Sequence, residues 1–177
     1  RVRRGAGWDW YEAAAYIRAG SSARDPIYVW GWIPGIYVAA QRFSTCRTPF
    51  TSEMHVLPPA GLAVLVDETV AAMAERPPAF IVDTRWSHFP WDRPPLELWP
   101  TSRGAPIAND PESVARYDRE HAASLRQRVG EQEAQRYEAM APLRRWVMGH
   151  YRLGRAFGPH LVFVRSAAGA GPGVSGR

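Results

Sequence analysis

Residues 70–83 read VAAMAERPPAFIVD, and their punctuation sets the fold class. Just upstream, Leu62, Leu65, Val66, Val70 and Met73 recur at three- and four-residue intervals, the period of an amphipathic helix. Pro58-Pro59 introduces that helix and Pro77-Pro78 stops it, since proline is tolerated in a first turn and not in an interior one. Ala79 to Asp83 then reads as a buried strand: short, apolar and β-branched. Helix, double proline and apolar strand make an α-to-β transition of an α/β layer fold.

The same reading extends outward. Trp8–Ala19 is predicted to be a helix, with Asp9 as its cap and Glu12 three residues on, and Trp8, Tyr11, Ala15 and Tyr16 are placed on one face. Ile27-Tyr28-Val29-Trp30 reads as a buried strand, followed by the loop Gly31-Trp32-Ile33-Pro34-Gly35 and a short helix to Ala40. Arg42 to Thr51 is polar, with a short strand expected around Phe43. Residues 84–111 hold six prolines with Trp86, Trp91 and Trp99, and read as an irregular insert. Asn109 or Asp110 caps a charged helix that starts at Pro111 and runs towards Val129. A second helical run, Glu131 to Gly149, is broken or kinked by Pro142. Tyr151–Phe157 reads as strand or loop, and Leu161–Val164 as the last strand. These elements predict a single α/β domain over 1–166, in which 84–142 are the insert and charged helix, with 167–177 a flexible tail. The sheet is expected to be small, Rossmann-like and mainly parallel, in two or three layers, with an antiparallel edge at the end.

The chain has 177 residues and a net charge of +5, and all 22 of its basic residues are arginine. Without lysine there is no Schiff-base chemistry, no Walker-type phosphate lysine and no pyridoxal anchor. A single cysteine, Cys46, excludes an internal disulfide. The basic surplus lies towards the two ends: seven arginines against three acids in residues 1–50, and four against none in 151–177. Along Glu112–Glu138 the signs alternate, which reads as a solvated helix face and argues against nucleic acid as a partner. His55, His88, His121, His150 and His160 share no metal-ligand spacing, and no metal or cofactor is expected.

Ligands of α/β sheets sit at the carboxyl ends of the strands. Trp30 and Trp32 follow the first strand, and Asp83, Arg85 and His88 follow the second. These five are the candidate ligand contacts. An aromatic face with a polar edge suits a sugar or lipid, and an Asp near a His suits acid–base work. The three-glycine dinucleotide fingerprint is missing, and Trp32 would crowd a pyrophosphate. No catalytic residue is assigned.

Three stretches resemble one family. IYVWGWIPGIY (27–37), VAAMAERPPAFIVD (70–83) and LRRWVMGHYRLGRAFGPHLVFVR (143–165) are similar to the C-terminal soluble domain of bacterial GT-C type membrane glycosyltransferases, of the protein mannosyltransferase and aminoarabinose transferase kind. The lead-in WYEAAAYIRAGSSARDP resembles that domain's approach to its first strand. The insert at 84–142 departs from the pattern. The resemblance implies a non-catalytic domain facing the periplasm or cell exterior and attached to the membrane-embedded part of the same protein. A lipid-linked sugar or glycan acceptor is the implied ligand. The catalytic acids of such enzymes lie in the membrane part, and the opening at Arg1 fits a chain that continues upstream. The alternative is a stand-alone α/β ligand-binding protein or enzyme with a pocket near Trp32 and Asp83. A third reading is an interaction domain that uses the proline-rich insert.

Overall fold

In the computed structural model, residues 9–31, 33–49, 56–84 and 110–166 are described. Strand β2 (Phe80–Asp83) is buried at all four positions. Buried backbone N–H and C=O groups need partners on both edges of such a strand. β1 (Ile27–Trp30) supplies one edge in parallel, with Ile27 opposite Phe80 and Trp30 opposite Asp83. β4 (His160–Arg165) supplies the other in antiparallel, with Phe80 opposite Val164 and Asp83 opposite Leu161. β3 (Tyr151–Phe157) pairs antiparallel outside β4, giving the order β1-β2-β4-β3. The sheet is therefore mixed, and the expectation of a mainly parallel sheet is corrected. Gly158 and Pro159 alone join β3 to β4, and a parallel crossover needs a dozen residues or more.

Helices cover both faces. Ile27, Val29, Phe80, Val82 and Val162 pack under Ala13, Ala14 and Ile17 of α1 (Asp9–Ala19) and Ile36 and Ala40 of α2 (Gly35–Ala40). Tyr28, Trp30, Ile81, Leu161 and Phe163 pack under Leu62, Val66 and Met73 of α3 (Pro59–Glu75) and Leu143 and Val147 of α6 (Ala141–His150). The result is three layers. The buried face of α1 differs from the one expected: Tyr11 is 47% exposed and Ala15 is exposed. Ala13 and Ala14 form the stripe instead, because small side chains let the helix lie close to the sheet. A bulge between Leu153 and Arg155 shifts the β3 register. Tyr151 and Leu153 therefore join the α3–α6 core, whereas Phe157 joins the α1 core.

α4 (Pro111–Arg128) is capped by Asp110, whose carboxylate accepts from the Ser113 N–H at 2.9 Å. Gly130, at φ 129°, turns the chain into α5 (Glu131–Ala139). Of the break or kink expected at Pro142, the chain takes the break, with the proline in the first turn of α6. The charged helix is solvated on one side only: Ala122 and Leu125 pack with Ala134 and Tyr137 in a third cluster. Beside that cluster, Arg144 of α6 donates to Asp118 of α4 at 2.8 Å and to the Tyr137 carbonyl of α5 at 2.9 Å. The Tyr137 hydroxyl donates to the same Asp118 oxygen at 2.8 Å, and the guanidinium lies 4.0 Å from the centre of its ring. One carboxylate thus ties three helices.

A second guanidinium ties α1 to α2. Buried Arg42 donates to the carbonyls of Arg18 and Ser21 at 3.0 and 2.6 Å, to those of Ala40 and Gln41 at 3.0 Å each, and to Ser21 Oγ at 2.9 Å. These are orphan carbonyls at helix C-termini, where a cation is favourable. Lysine has neither five donors nor a planar fork. Arg42→Lys is expected to lower unfolding free energy by about 1–3 kcal/mol, the cost of leaving a buried polar group unsatisfied, measured by denaturant titration. Asp118→Ala leaves buried Arg144 unpaired and is expected to cost about 3–5 kcal/mol by the same measurement.

Candidate functional site at the carboxyl ends of β1 and β2

Polar groups are concentrated at one end of the sheet. Trp30 and Asp83 are register partners in parallel strands, so their side chains project to the same face, that of α3 and α6. Both are buried, at 1% and 0% exposure. The Thr84 N–H donates to the Trp30 carbonyl at 2.9 Å and extends the ladder by one residue. At Gly31 the chain takes φ 126°, a conformation suited to glycine, and turns away towards α2. Of the five candidate contacts, Trp30 and Asp83 are thus neighbours across the parallel pair. Trp32, Arg85 and His88 lie outside the described residues, as do the Trp-rich stretch 85–109 and the tail.

His160 was not singled out by the sequence reading, which began the last strand one residue later. Its Nδ1 lies 2.7 Å from the Thr84 carbonyl, and its side chain is buried. A carbonyl only accepts, so Nδ1 carries the hydrogen and a neutral ring presents Nε2 as an acceptor. Strand alternation separates this ring from Asp83. Leu161, opposite Asp83, belongs to the α3–α6 core, so His160 faces the α1 side together with Val162. Asp83 and His160 are therefore not an acid–base dyad. The strand ends offer one carboxylate beside an indole on one face and an imidazole on the other. All three side chains are buried and close this end of the sheet.

Groups with displaced ionisation lie elsewhere and serve the framework. The Tyr37 oxygen accepts from the Val29 N–H at 3.0 Å, covering the outer edge of β1. Burial raises its pKa to about 12, against the lowering effect of its contacts with Ser44 and Val29. Burial pushes the Cys46 thiol up to about 12, which leaves it a poor nucleophile. The Tyr151 hydroxyl donates to the Pro78 carbonyl at 2.6 Å. Burial raises it to about 12 as well, opposed by Arg165. Among the described residues, no group of three or more His, Cys, Asp or Glu side chains is placed to hold a metal. No described helix is long and apolar enough to cross a membrane. A groove of about 310 Å³ between α4 and α6, lined by Val114, Ala115, Arg145 and Met148, uses none of the strand-end residues.

No family model matches the chain, and no curated protein matches it. Among solved structures, the C-terminal globular domain of an oligosaccharyltransferase from Archaeoglobus fulgidus is similar over 92% of this chain and 100% of that one, at 13% identity and a TM-score of 0.44.

The raised groups carry a prediction about alkaline stability. In the unfolded chain, Cys46 ionises near 9.0 and the tyrosines near 10.0, whereas the folded state keeps all three protonated to about 12. The folded state therefore binds more protons above pH 9, and stability falls as pH rises from there towards 12. Denaturant midpoints should be level up to about pH 8 and decline above it. Cys46→Ala should delay the onset of the decline to the tyrosine range.

Proposed function

We propose that this chain is a non-catalytic, extramembrane C-terminal domain of a lipid-phosphate-sugar-dependent membrane glycosyltransferase of the bacterial GT-C kind. One observation carries the reading. The three stretches that resemble this family are far apart in sequence and assemble as one unit. Residues 27–37 supply β1 and the start of α2, residues 70–83 the end of α3 and all of β2, and residues 143–165 supply most of α6 with β3 and β4. Together they build the whole sheet and bring Trp30 beside Asp83. The carboxyl ends of β1 and β2 are the surface offered to a lipid-linked sugar or a glycan acceptor. The domain faces the periplasm or cell exterior and works beside the membrane-embedded part of its own polypeptide, which holds the catalytic acids.

The second reading is a stand-alone α/β ligand-binding protein or enzyme with a pocket near Trp32 and Asp83, since Asp83 puts a carboxylate at the end of β2. The sequence encoded immediately before Arg1 separates the two. The glycosyltransferase reading expects several apolar stretches of about 20 residues, each long enough to span a bilayer. An open reading frame that starts close to Arg1, with no such stretch, would eliminate it and leave the second.

A further inference from the structure

The polarity of the sheet also gathers charge at the end opposite Trp30 and Asp83. α1, α2, α3 and α6 all finish there. Gly20 lies against the Phe80 ring, and the Ile27 N–H donates to the Phe43 carbonyl at 2.9 Å. Ala79 N–H donates to the Pro26 carbonyl at 2.8 Å, and Ser166 N–H to the His150 carbonyl at 2.9 Å. Arginines scattered through the sequence arrive together at this pole. Arg18 and Arg24 come from the end of α1 and the turn after it, Arg76 from the end of α3, Arg152 from the start of β3 and Arg165 from the end of β4; all are exposed. Contacts connect them across the surface. Tyr151, the register partner of Arg165, donates its hydroxyl to Pro78, two residues from Arg76. The Arg76 carbonyl accepts from Thr45 Oγ1, beside Phe43. Arg42 is consumed by helix carbonyls and adds nothing outside. The described acids placed here are Asp25 and Glu75, and Asp25 is held by the Ser22 N–H at 2.7 Å. Among these arginines, Phe43 stands 73% exposed.

We propose that this pole binds the surface of an anionic lipid bilayer, with the arginines on headgroup phosphates and Phe43 entering the headgroup–acyl boundary. Exposed basic side chains around an apolar anchor are the requirements of interfacial binding. A single-stranded nucleic acid asks instead for successive aromatic platforms along a groove, and the described residues of this pole offer one exposed phenyl ring. The linear sequence hides the surface, because five arginines from four parts of the chain meet only through the strand polarity. The inference does not rest on the glycosyltransferase reading, and its failure would leave that reading in place.

Co-sedimentation of the 177-residue chain with phosphatidylcholine vesicles, with and without phosphatidylglycerol, tests it. Binding is expected on the phosphatidylglycerol vesicles, weak on phosphatidylcholine alone, and weaker as salt rises. R18Q/R24Q/R76Q should lower affinity on the order of a hundredfold, about fivefold for each arginine near an anionic surface. The control R116Q/R119Q/R128Q removes the same charge from exposed positions on α4 and should lower it only a few-fold. Phe43→Ser should weaken binding without changing its salt dependence, which keeps the apolar and electrostatic parts separable. Circular dichroism should be unchanged in all variants, because the replaced side chains are exposed. Absence of binding to either vesicle, equal losses in the two triple variants, or tighter binding to a single-stranded RNA oligomer than to the vesicles would overturn the proposal.

Discussion

Everything in this fold answers to the burial of β2. Four consecutive residues, Phe80 to Asp83, are shut away from water on both faces, so both edges of the strand must be hydrogen-bonded within the protein. That requirement fixes β1 on one side and β4 on the other, and the alternation of its side chains divides the interior into two cores. Ile81 looks to α3 and α6, and Val82 to α1 and α2. Asp83 is polar at the last position of the strand, and so a carboxylate stands where the adjacent connections leave the sheet. Fold and candidate site thus share one cause.

A chain with no lysine uses its arginines for different kinds of work. Arg42 and Arg144 are buried, Arg42 among helix carbonyls and Arg144 between a carbonyl and the Asp118 carboxylate, so they act as multi-point ties between helices rather than as surface charges. The planar fork makes this possible, because one side chain reaches several acceptors with little further loss of freedom. Arginines at the opposite extreme, such as Arg18 and Arg76, keep their charge in water. The composition alone does not distinguish the two groups. What surrounds each one in the fold does.

What was legible in the sequence was local. The helix before Pro77-Pro78, the strands at 27–30 and 80–83, the cap at Asp110 and the break at Pro142 all depend on neighbours within a few residues. The rule about strand ends singles out Trp30 and Asp83 separately; their pairing follows from the parallel register. Strand direction was misjudged because alternation of helices and strands was given more weight than the two-residue link at Gly158-Pro159. The stripe of α1 was misjudged because aromatic bulk was taken for burial, when alanines permit closer approach. The Asp118–Arg144 tie spans 26 residues and looked like an alternating charged surface, since no local pattern marks which ion of a series will be enclosed. His160 was missed because the strand was started at its first apolar residue.

The bulge in β3 has a mechanical consequence. One extra residue between Leu153 and Arg155 changes which way the strand faces, so its first half is embedded in one core and its last aromatic, Phe157, in the other. The strand therefore stitches the two interiors through a single stretch of backbone. Neither can loosen without pulling on the same seven residues, which couples the two halves into one cooperative unit. It also makes chain length in this strand a matter of parity. A regular strand would put Tyr151 and Phe157, six positions apart, on one face, so the extra residue is what lets them reach opposite cores.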